Sequence, residues 1–197
     1  MGTRHLIAVA KDGEYKVAQY GQWDGYPEGQ GVAILEFLRA KMKREVFEER
    51  LNHVSFITEK ELKERWIKAG ADPDNELVTI AVSNRMSALY PENTREIGSG
   101  ILRIIQDSER DIKISNSIDF AGDSLFCEWG YVIDLDKNTF EVYKGFNHEE
   151  LDKSDRFFGM KKEGEYNPIK LVKSFDLDNL PTPEDFATSL QKEEELV

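Results

Sequence analysis

The segment from Tyr20 to Pro27 places hydrogen-bonding and aromatic side chains beside glycines. Trp23 and Tyr26 fall outside any helix or strand period, and aromatic residues in such a setting are typical of a binding surface. Gln22 and Asp24 add polar groups next to the two rings, a common composition for a small-molecule pocket. The alternative is structural, because Asp-Gly is a strong turn signal and Trp23 would then cover a sheet edge.

Thr3, Arg4 and His5 directly precede an apolar run, Leu6 to Ala10, that predicts a buried strand. An Asp-Gly pair then favours a tight hairpin turn, which would bring these residues close to the 20–27 loop. Their hydroxyl, guanidinium and imidazole groups are all able to bind a polar ligand. The alternative is a frayed terminus. The predicted ligand-binding residues from these two segments are Thr3, Arg4, Gln22, Trp23, Asp24 and Tyr26.

The sequence lacks the spacings of several catalytic and cofactor sites. His5, His53 and His148 are far apart, and no His-x-x-x-His or Cys-x-x-Cys pair is present, so we predict no metal site. There is no Walker loop, no Gly-x-Gly-x-x-Gly and no Gly-x-Ser-x-Gly, so we predict no cofactor. Cys127 lies on the apolar face of a predicted strand, which is typical of an unreactive core thiol.

Composition bounds the class of protein. The chain has 197 residues, of which 40% are hydrophobic. This content is sufficient for one hydrophobic core and argues against a disordered chain. Its net charge of −12 argues against binding to nucleic acid, which needs Lys and Arg against phosphates, and to anionic membranes. The basic run from Arg39 to Arg44 is followed by glutamates and is typical of a solvated helix face. A single cysteine fits a reducing compartment, so we expect a cytoplasmic protein of a cell or an infected host.

The order of predicted elements indicates a single α+β domain over residues 1–197. Hydrophobic spacing predicts a hairpin over 5–21, a loop over 22–31 and a helix from about 32 to 51. Further helices are predicted over 59–69, 73–89 and 94–107 and from about 182, and strands within 112–120, 125–133, 140–142 and 169–177. We expect a largely antiparallel sheet with helices packed on its faces, a surface excursion over 145–167 and a frayed acidic tail over 190–197.

Three stretches of the chain also carry a resemblance. They are Gly2-Thr3-Arg4 with Gly25-Tyr26-Pro27, Gly29 and Gly31; Tyr90-Pro91 with Arg95, Gly98, Ile101 and Leu102; and Glu128-Trp129 with Tyr131 to Asp136. Together they span about residues 2–145 and resemble an uncharacterised family of phage and bacterial proteins with more distant fungal relatives. The resemblance implies kinship and no activity. It adds Arg95 to the predicted ligand-binding residues, either as a partner of Asp24 or as an anion-binding group.

The first thirty residues show a fainter resemblance in architecture. A short opening triplet, a strand, an Asp-Gly turn, a second strand and an aromatic-Asp loop are similar to the start of N-terminal-nucleophile (Ntn) hydrolases of the bile-salt and penicillin acylase type. That resemblance implies a four-layer αββα sandwich. Catalysis in such enzymes needs Cys, Ser or Thr as the first residue, because the free α-amine acts as the base. Here Thr3 would qualify only after removal of both Met1 and Gly2.

Three hypotheses follow. The first is a domain that binds a small polar molecule at a degenerate hydrolase-like site. The second is an active amide hydrolase of the same fold with Thr3 as the nucleophile. The third is a phage- or prophage-encoded protein-interaction module, whose acidic surface would suit a basic protein partner or a mimic of nucleic-acid charge.

Overall fold

A computed structural model describes residues 2–75, 77–162 and 164–194, with the backbone only for residues 192–194. These residues form a mixed α+β fold with seven strands in two sheets. The strands are β1 (His5–Lys11), β2 (Glu14–Gly21), β3 (Val54–Phe56), β4 (Ile112–Ile114), β5 (Trp129–Asp134), β6 (Thr139–Lys144) and β7 (Lys170–Asp176). The helices are α1 (Val32–Glu36), α2 (Arg44–Leu51), α3 (Glu59–Lys68), α4 (Ile80–Leu89), α5 (Gly100–Asp107) and α6 (Pro183–Glu194).

The larger sheet has five strands in the order β2-β1-β5-β6-β7 and is antiparallel except for the β1–β5 pair. The predicted first hairpin is confirmed: Asp12 and Gly13 have φ of 56° and 74°, the left-handed geometry of a two-residue hairpin turn. The Asp136 carboxylate accepts from both of their N–H groups at 2.9 Å. The turn of the first hairpin is thereby tied to the turn between β5 and β6.

The predicted helix over 32–51 is two helices. Residues 27–41 are continuously helical, with π-helical turns at Pro27–Gly31 and Phe37–Lys41 on either side of α1, so helix begins inside the predicted loop. Met42 is extended and ends this segment before α2. The Gln106 side chain replaces the lost helical hydrogen bonds there. It accepts from the Lys43 N–H at 2.7 Å and donates to the Lys41 carbonyl at 3.1 Å.

Two other predicted helices are shorter than expected. The helix predicted over 73–89 begins at Ile80, where the Thr79 hydroxyl caps it by accepting from the Val82 N–H. The helix predicted over 94–107 begins at Gly100, because Gly98 has a φ of 49° and interrupts the helical path. By contrast, α3 begins at the predicted residue, Glu59, where Thr58 and Glu61 form a capping box.

Two predicted strands are also shorter. The alternating pattern over 112–120 forms β4 only to Ile114, and Ile118–Gly122 is a 3₁₀ helix. The pattern over 125–133 forms a strand only from Trp129, and a turn occupies 124–126. Ile118 and Phe120 are partly buried in the first of these segments, whereas Leu125 is exposed in the second.

Apolar side chains cover both faces of the sheet, but by different means. On one face, α1, α2, α5 and α6 bury a large core around Ile7, Tyr131 and Phe140. On the other face, the core residues outside the sheet come from irregular segments within 118–127 and 151–169, including Phe157. The prediction of helices on both faces of the sheet is therefore wrong. Among the residues described, α-helices cover one face only. The predicted excursion over 145–167 contributes to the cover of the other.

The C-terminal segment is helical further than predicted. The last helix, α6, continues to Glu194 and buries Leu190 to 1% exposure, within the region expected to be a frayed tail. Residues 195–197 of that predicted tail lie outside the described residues.

A buried charged cluster joins the 145–167 segment to the sheet. Arg156 donates to the two Glu141 oxygens at 2.7 and 2.9 Å and also to Asp134. The Tyr143 hydroxyl donates to Glu141 at 2.6 Å. Burial raises the pKa of Glu141, but hydrogen bonds from Arg156 and Tyr143 outweigh that effect, and the pKa lies below its usual value. The carboxylate is therefore charged at neutral pH and needs its partner.

We expect Arg156→Met to lower the free energy of unfolding by about 3–5 kcal/mol, because Asp134 and Glu141 would remain buried without a cation. Urea denaturation at pH 7 measures the change. The matched control is Arg103→Met, which removes an exposed ion pair with Asp107 and should leave stability nearly unchanged. Equal losses in the two variants would contradict a structural role for the cluster.

Candidate functional site

The structure brings the N-terminal residues and the 20–27 loop together at one end of the large sheet. The Gly25 N–H donates to the Thr3 carbonyl at 3.0 Å, and Gly2 lies against the Trp23 ring. Thr3 is only 5% exposed. Its nitrogen is in the peptide bond with Gly2, so in this form of the chain it has no free α-amine.

His5 lies beneath the loop and explains two of its glycines. The ring is 1% exposed, and a Cβ added at Gly21 would lie 2.1 Å from His5 Nε2. A Cβ at Gly25 would lie 3.0 Å from Nδ1 and 2.7 Å from the Thr3 carbonyl oxygen. Both ring nitrogens lack a hydrogen-bond partner within the described chain. Burial lowers the pKa of His5 to about 4, against the opposing influence of the Thr3 carbonyl and the Asp24 charge.

Arg4 joins the first strand to the segment that precedes β5. Its backbone N–H donates to Glu128 Oε1 at 3.1 Å, and its guanidinium Nε lies 4.0 Å from the same oxygen. The guanidinium carbon lies 4.3 Å from the centroid of the Phe126 ring. Arg4 therefore orients the Glu128 carboxylate at the end of the sheet.

Gln22 and Arg95 meet through their backbones. The Gln22 N–H donates to the Arg95 carbonyl at 2.9 Å, and the Tyr20 hydroxyl donates to Gln22 Oε1 at 2.6 Å. The Arg95 side chain is exposed and pairs with Glu96 at 3.1 Å. The suggested Arg95–Asp24 ion pair is not formed among the described residues. Arg95 instead borders a separate cleft beside Trp66.

Asp24 and Trp23 contribute mainly to the shape of the loop. Asp24 has a φ of 55°, a left-handed conformation that Asp tolerates better than most residues, and its carbonyl accepts from the Gln30 N–H. Trp23 is 46% exposed, with its ring packed on Gly2.

A cleft of about 250 Å³ opens beside this loop, and we call it the Tyr26 cleft. It is lined by Tyr26, Pro27, Glu28, Glu128, Trp129, Lys144, Phe146, Leu190 and Gln191. Of the predicted ligand-binding residues, only Tyr26 lines it, while Arg4 acts on it through Glu128. The other five, Thr3, Gln22, Trp23, Asp24 and Arg95, are not among its lining residues.

Sequence reasoning did not select most of the cleft residues. Glu128 and Trp129 belong to a stretch that carried the family resemblance, and Glu28 follows the aromatic loop, so these had a signal. Lys144 ends β6 and Phe146 lies two residues beyond it, and no local sequence pattern marks either residue. They reach the cleft because β6 runs antiparallel to β5, which places Lys144 opposite Trp129.

Other chemistry is limited in the described residues. Cys127 is fully buried and donates to the Trp129 carbonyl at 3.5 Å, and burial raises the pKa of its thiol well above the usual value. No group of three or more His, Cys, Asp or Glu side chains within the described ranges is placed to hold a metal ion. None of the helices described combines the length and apolar content needed to cross a bilayer.

Comparison with known proteins adds no assignment. No protein-family model matches the chain, and neither a curated protein nor a solved structure shows significant similarity to it. Arguments about function therefore depend on this chain's own residues.

The buried His5 predicts a pH dependence of stability. Because its pKa is about 4 in the folded chain and near 6.5 when exposed, the unfolded chain binds a proton first as pH falls. The free energy of unfolding should fall between pH 6.5 and 4, by up to about 3 kcal/mol from this group. Urea denaturation across this range, compared with His5→Gln, measures the contribution. Parallel pH profiles for the two proteins would contradict it.

Proposed function

We propose that the protein binds a small zwitterionic molecule of the amino-acid type in the Tyr26 cleft. The observation that carries this proposal is the mixed lining of the cleft. Two carboxylates and one ammonium group surround three aromatic side chains in a volume of about 250 Å³. Ligand pockets commonly combine apolar walls with a few polar groups of this kind.

The carboxylates of the cleft favour an ammonium group on the ligand. Glu128 is already oriented by the Arg4 N–H, and Glu28 accepts from the Gln191 amide at 3.3 Å. Each carboxylate has two oxygens with several lone pairs, so acceptor capacity remains for a ligand. Prior orientation lowers the entropy lost on binding.

Lys144 favours a carboxylate at the other end of the ligand. Its ammonium nitrogen lies 5.7 Å from the centroid of the Trp129 ring, and it takes part in further interactions of the chain. An ammonium group has three N–H donors, so Lys144 is able to keep these contacts and bind a ligand as well.

The aromatic residues favour an apolar body between the two charged ends. Tyr26 is 54% exposed and Phe146 is 49% exposed, so both rings offer surface to a ligand. The volume lies just below the usual range of about 300–1,000 Å³ for small-molecule pockets, which favours a compact ligand.

The hydrolase alternative needs a different N-terminus. We propose in addition that the site is a degenerate form of the Ntn-hydrolase site. The first strand begins at the ligand site, as in those enzymes, but the catalytic nucleophile is absent. Its support is that β1 begins beside the loop that carries Asp24. The four-layer sandwich of those enzymes would need a second large sheet, whereas the described residues form sheets of five and two strands.

We expect Gly2 to be retained in the mature protein, because it is packed against the Trp23 ring and the Gln22 carbonyl. Intact-mass measurement of purified protein gives the result. A chain beginning at Thr3 would support the hydrolase instead.

A thermal-shift screen against the free amino acids tests the binding proposal. A ligand at one hundred times its dissociation constant adds about 2.7 kcal/mol to the free energy of unfolding. We expect hits among aromatic and aliphatic amino acids, and none for their N-acetyl or amide derivatives, which lack one of the two charges.

Variants locate the binding. Tyr26→Ala and Glu128→Gln should each weaken a hit about tenfold, because each removes a contact worth roughly 1–2 kcal/mol. The matched control is Phe158→Ala, which removes an equally exposed ring outside the cleft. Unchanged affinity in both cleft variants, or equal binding of the N-acetyl derivatives, would refute the proposal.

A further inference from the structure

A second cleft, of about 520 Å³, lies on the loop-covered face of the sheet, and we call it the Phe126 cleft. It is lined by Asp119, Phe120, Asp123, Leu125, Phe126, Gly164, Glu165 and Tyr166. Three aromatic rings and three carboxylates therefore surround it. No Lys, Arg or His is among these lining residues, in contrast to the mixed charges of the Tyr26 cleft.

The aromatic walls are held in place by other rings. Phe120 meets Tyr20 edge-on at 5.0 Å between centroids, and Tyr166 meets Phe146 edge-on at 6.2 Å. Phe126 is 44% exposed, so much of its ring is open to a ligand. The walls thus form a preset apolar surface at the rim of an acidic cleft.

The Phe126 ring already binds a cation from within the chain. The Arg4 guanidinium carbon lies 4.3 Å from its centroid, within the range of a cation–π contact. The electron-rich face of a ring attracts cations, and a planar guanidinium group also stacks on it. This intramolecular contact shows which chemistry the ring favours.

The three carboxylates have no cationic partner in the described part of the chain. Asp119, Asp123 and Glu165 take part in none of the ion pairs formed there. They also form no metal-binding group among the described residues. Carboxylates spread around a wide aromatic cleft suit a large, flat cation better than a single metal ion.

We propose that the Phe126 cleft binds a guanidinium group, stacked on the exposed Phe126 ring and paired with the surrounding carboxylates. The group has two sources, a free guanidinium compound or an arginine side chain of a peptide. This site is separate from the proposed amino-acid site, because its lining residues are different.

Calorimetric titration of the full chain with N-acetyl-arginine amide tests the proposal. This probe has neither a free ammonium group nor a carboxylate at its backbone, so it lacks the charges expected for the Tyr26 cleft. The ligand control is N-acetyl-citrulline amide, which has nearly the same shape without the positive charge. We expect the citrulline compound to bind at least about tenfold more weakly, because it loses both the ion pairs and the cation–π contact.

Variants then assign the site. Asp119→Asn and Glu165→Gln should each weaken arginine-amide binding about threefold, and Phe126→Leu about fivefold. The matched control is Asp107→Asn. Asp107 lies on α5, which packs on the opposite, helix-covered face of the sheet, so this variant should leave the affinity for N-acetyl-arginine amide unchanged. Because Asp119 and Glu165 are exposed, their variants test the site even if Phe126→Leu is less stable.

The outcomes separate the two sources and the two proposals. Tighter binding of an acetylated Gly-Arg-Gly amide than of the single residue indicates an arginine side chain of a peptide, and equal binding indicates a free guanidinium compound. Equal binding of the arginine and citrulline probes, or no effect of the Asp119 and Glu165 variants, would overturn this inference. Neither result affects the amino-acid screen, which depends on Tyr26 and Glu128.

Discussion

The parallel pairing of β1 with β5 is the constraint on which the rest of the molecule depends. It joins an N-terminal hairpin to a three-stranded antiparallel unit, and it places His5 beside Trp129. Because β1 is an interior strand buried on both faces, its side chains contribute to both cores. The same pairing aligns the ends of the strands, so the 20–27 loop, Glu128 and Lys144 lie at the same end of the sheet. Without it, neither cleft would have its walls.

Arg4 is the residue that links the two clefts. Its backbone fixes the Glu128 carboxylate of the Tyr26 cleft, while its guanidinium group lies over one face of the Phe126 ring of the other cleft. The two clefts differ in the charges around them, and the difference sets the ligand chemistry that each favours.

Local signals in the sequence predicted the first hairpin and the positions where several helices end, because an Asp-Gly turn and a change in hydrophobic spacing act over a few positions. They failed where distant side chains decide the structure. Gln106 stabilises the break after Lys41, and Gly98 takes a left-handed conformation against Gln30. The sequence indicates that the 20–27 loop belongs to the candidate site. It does not indicate Lys144 of β6, because only the pairing of β6 with β5 brings that residue to the cleft.

The central pairing also has a consequence for synthesis on the ribosome. Arg4 and Glu128, which flank the paired strands, are 124 residues apart in the chain. At about 5–20 residues per second, β1 leaves the ribosome roughly 6–25 s before its neighbour is made. During that interval the most apolar strand of the molecule has only β2 beside it, and one of its edges is open to other chains. The nascent chain is therefore most vulnerable to aggregation early, and a chaperone that shields the first hairpin would act at that stage.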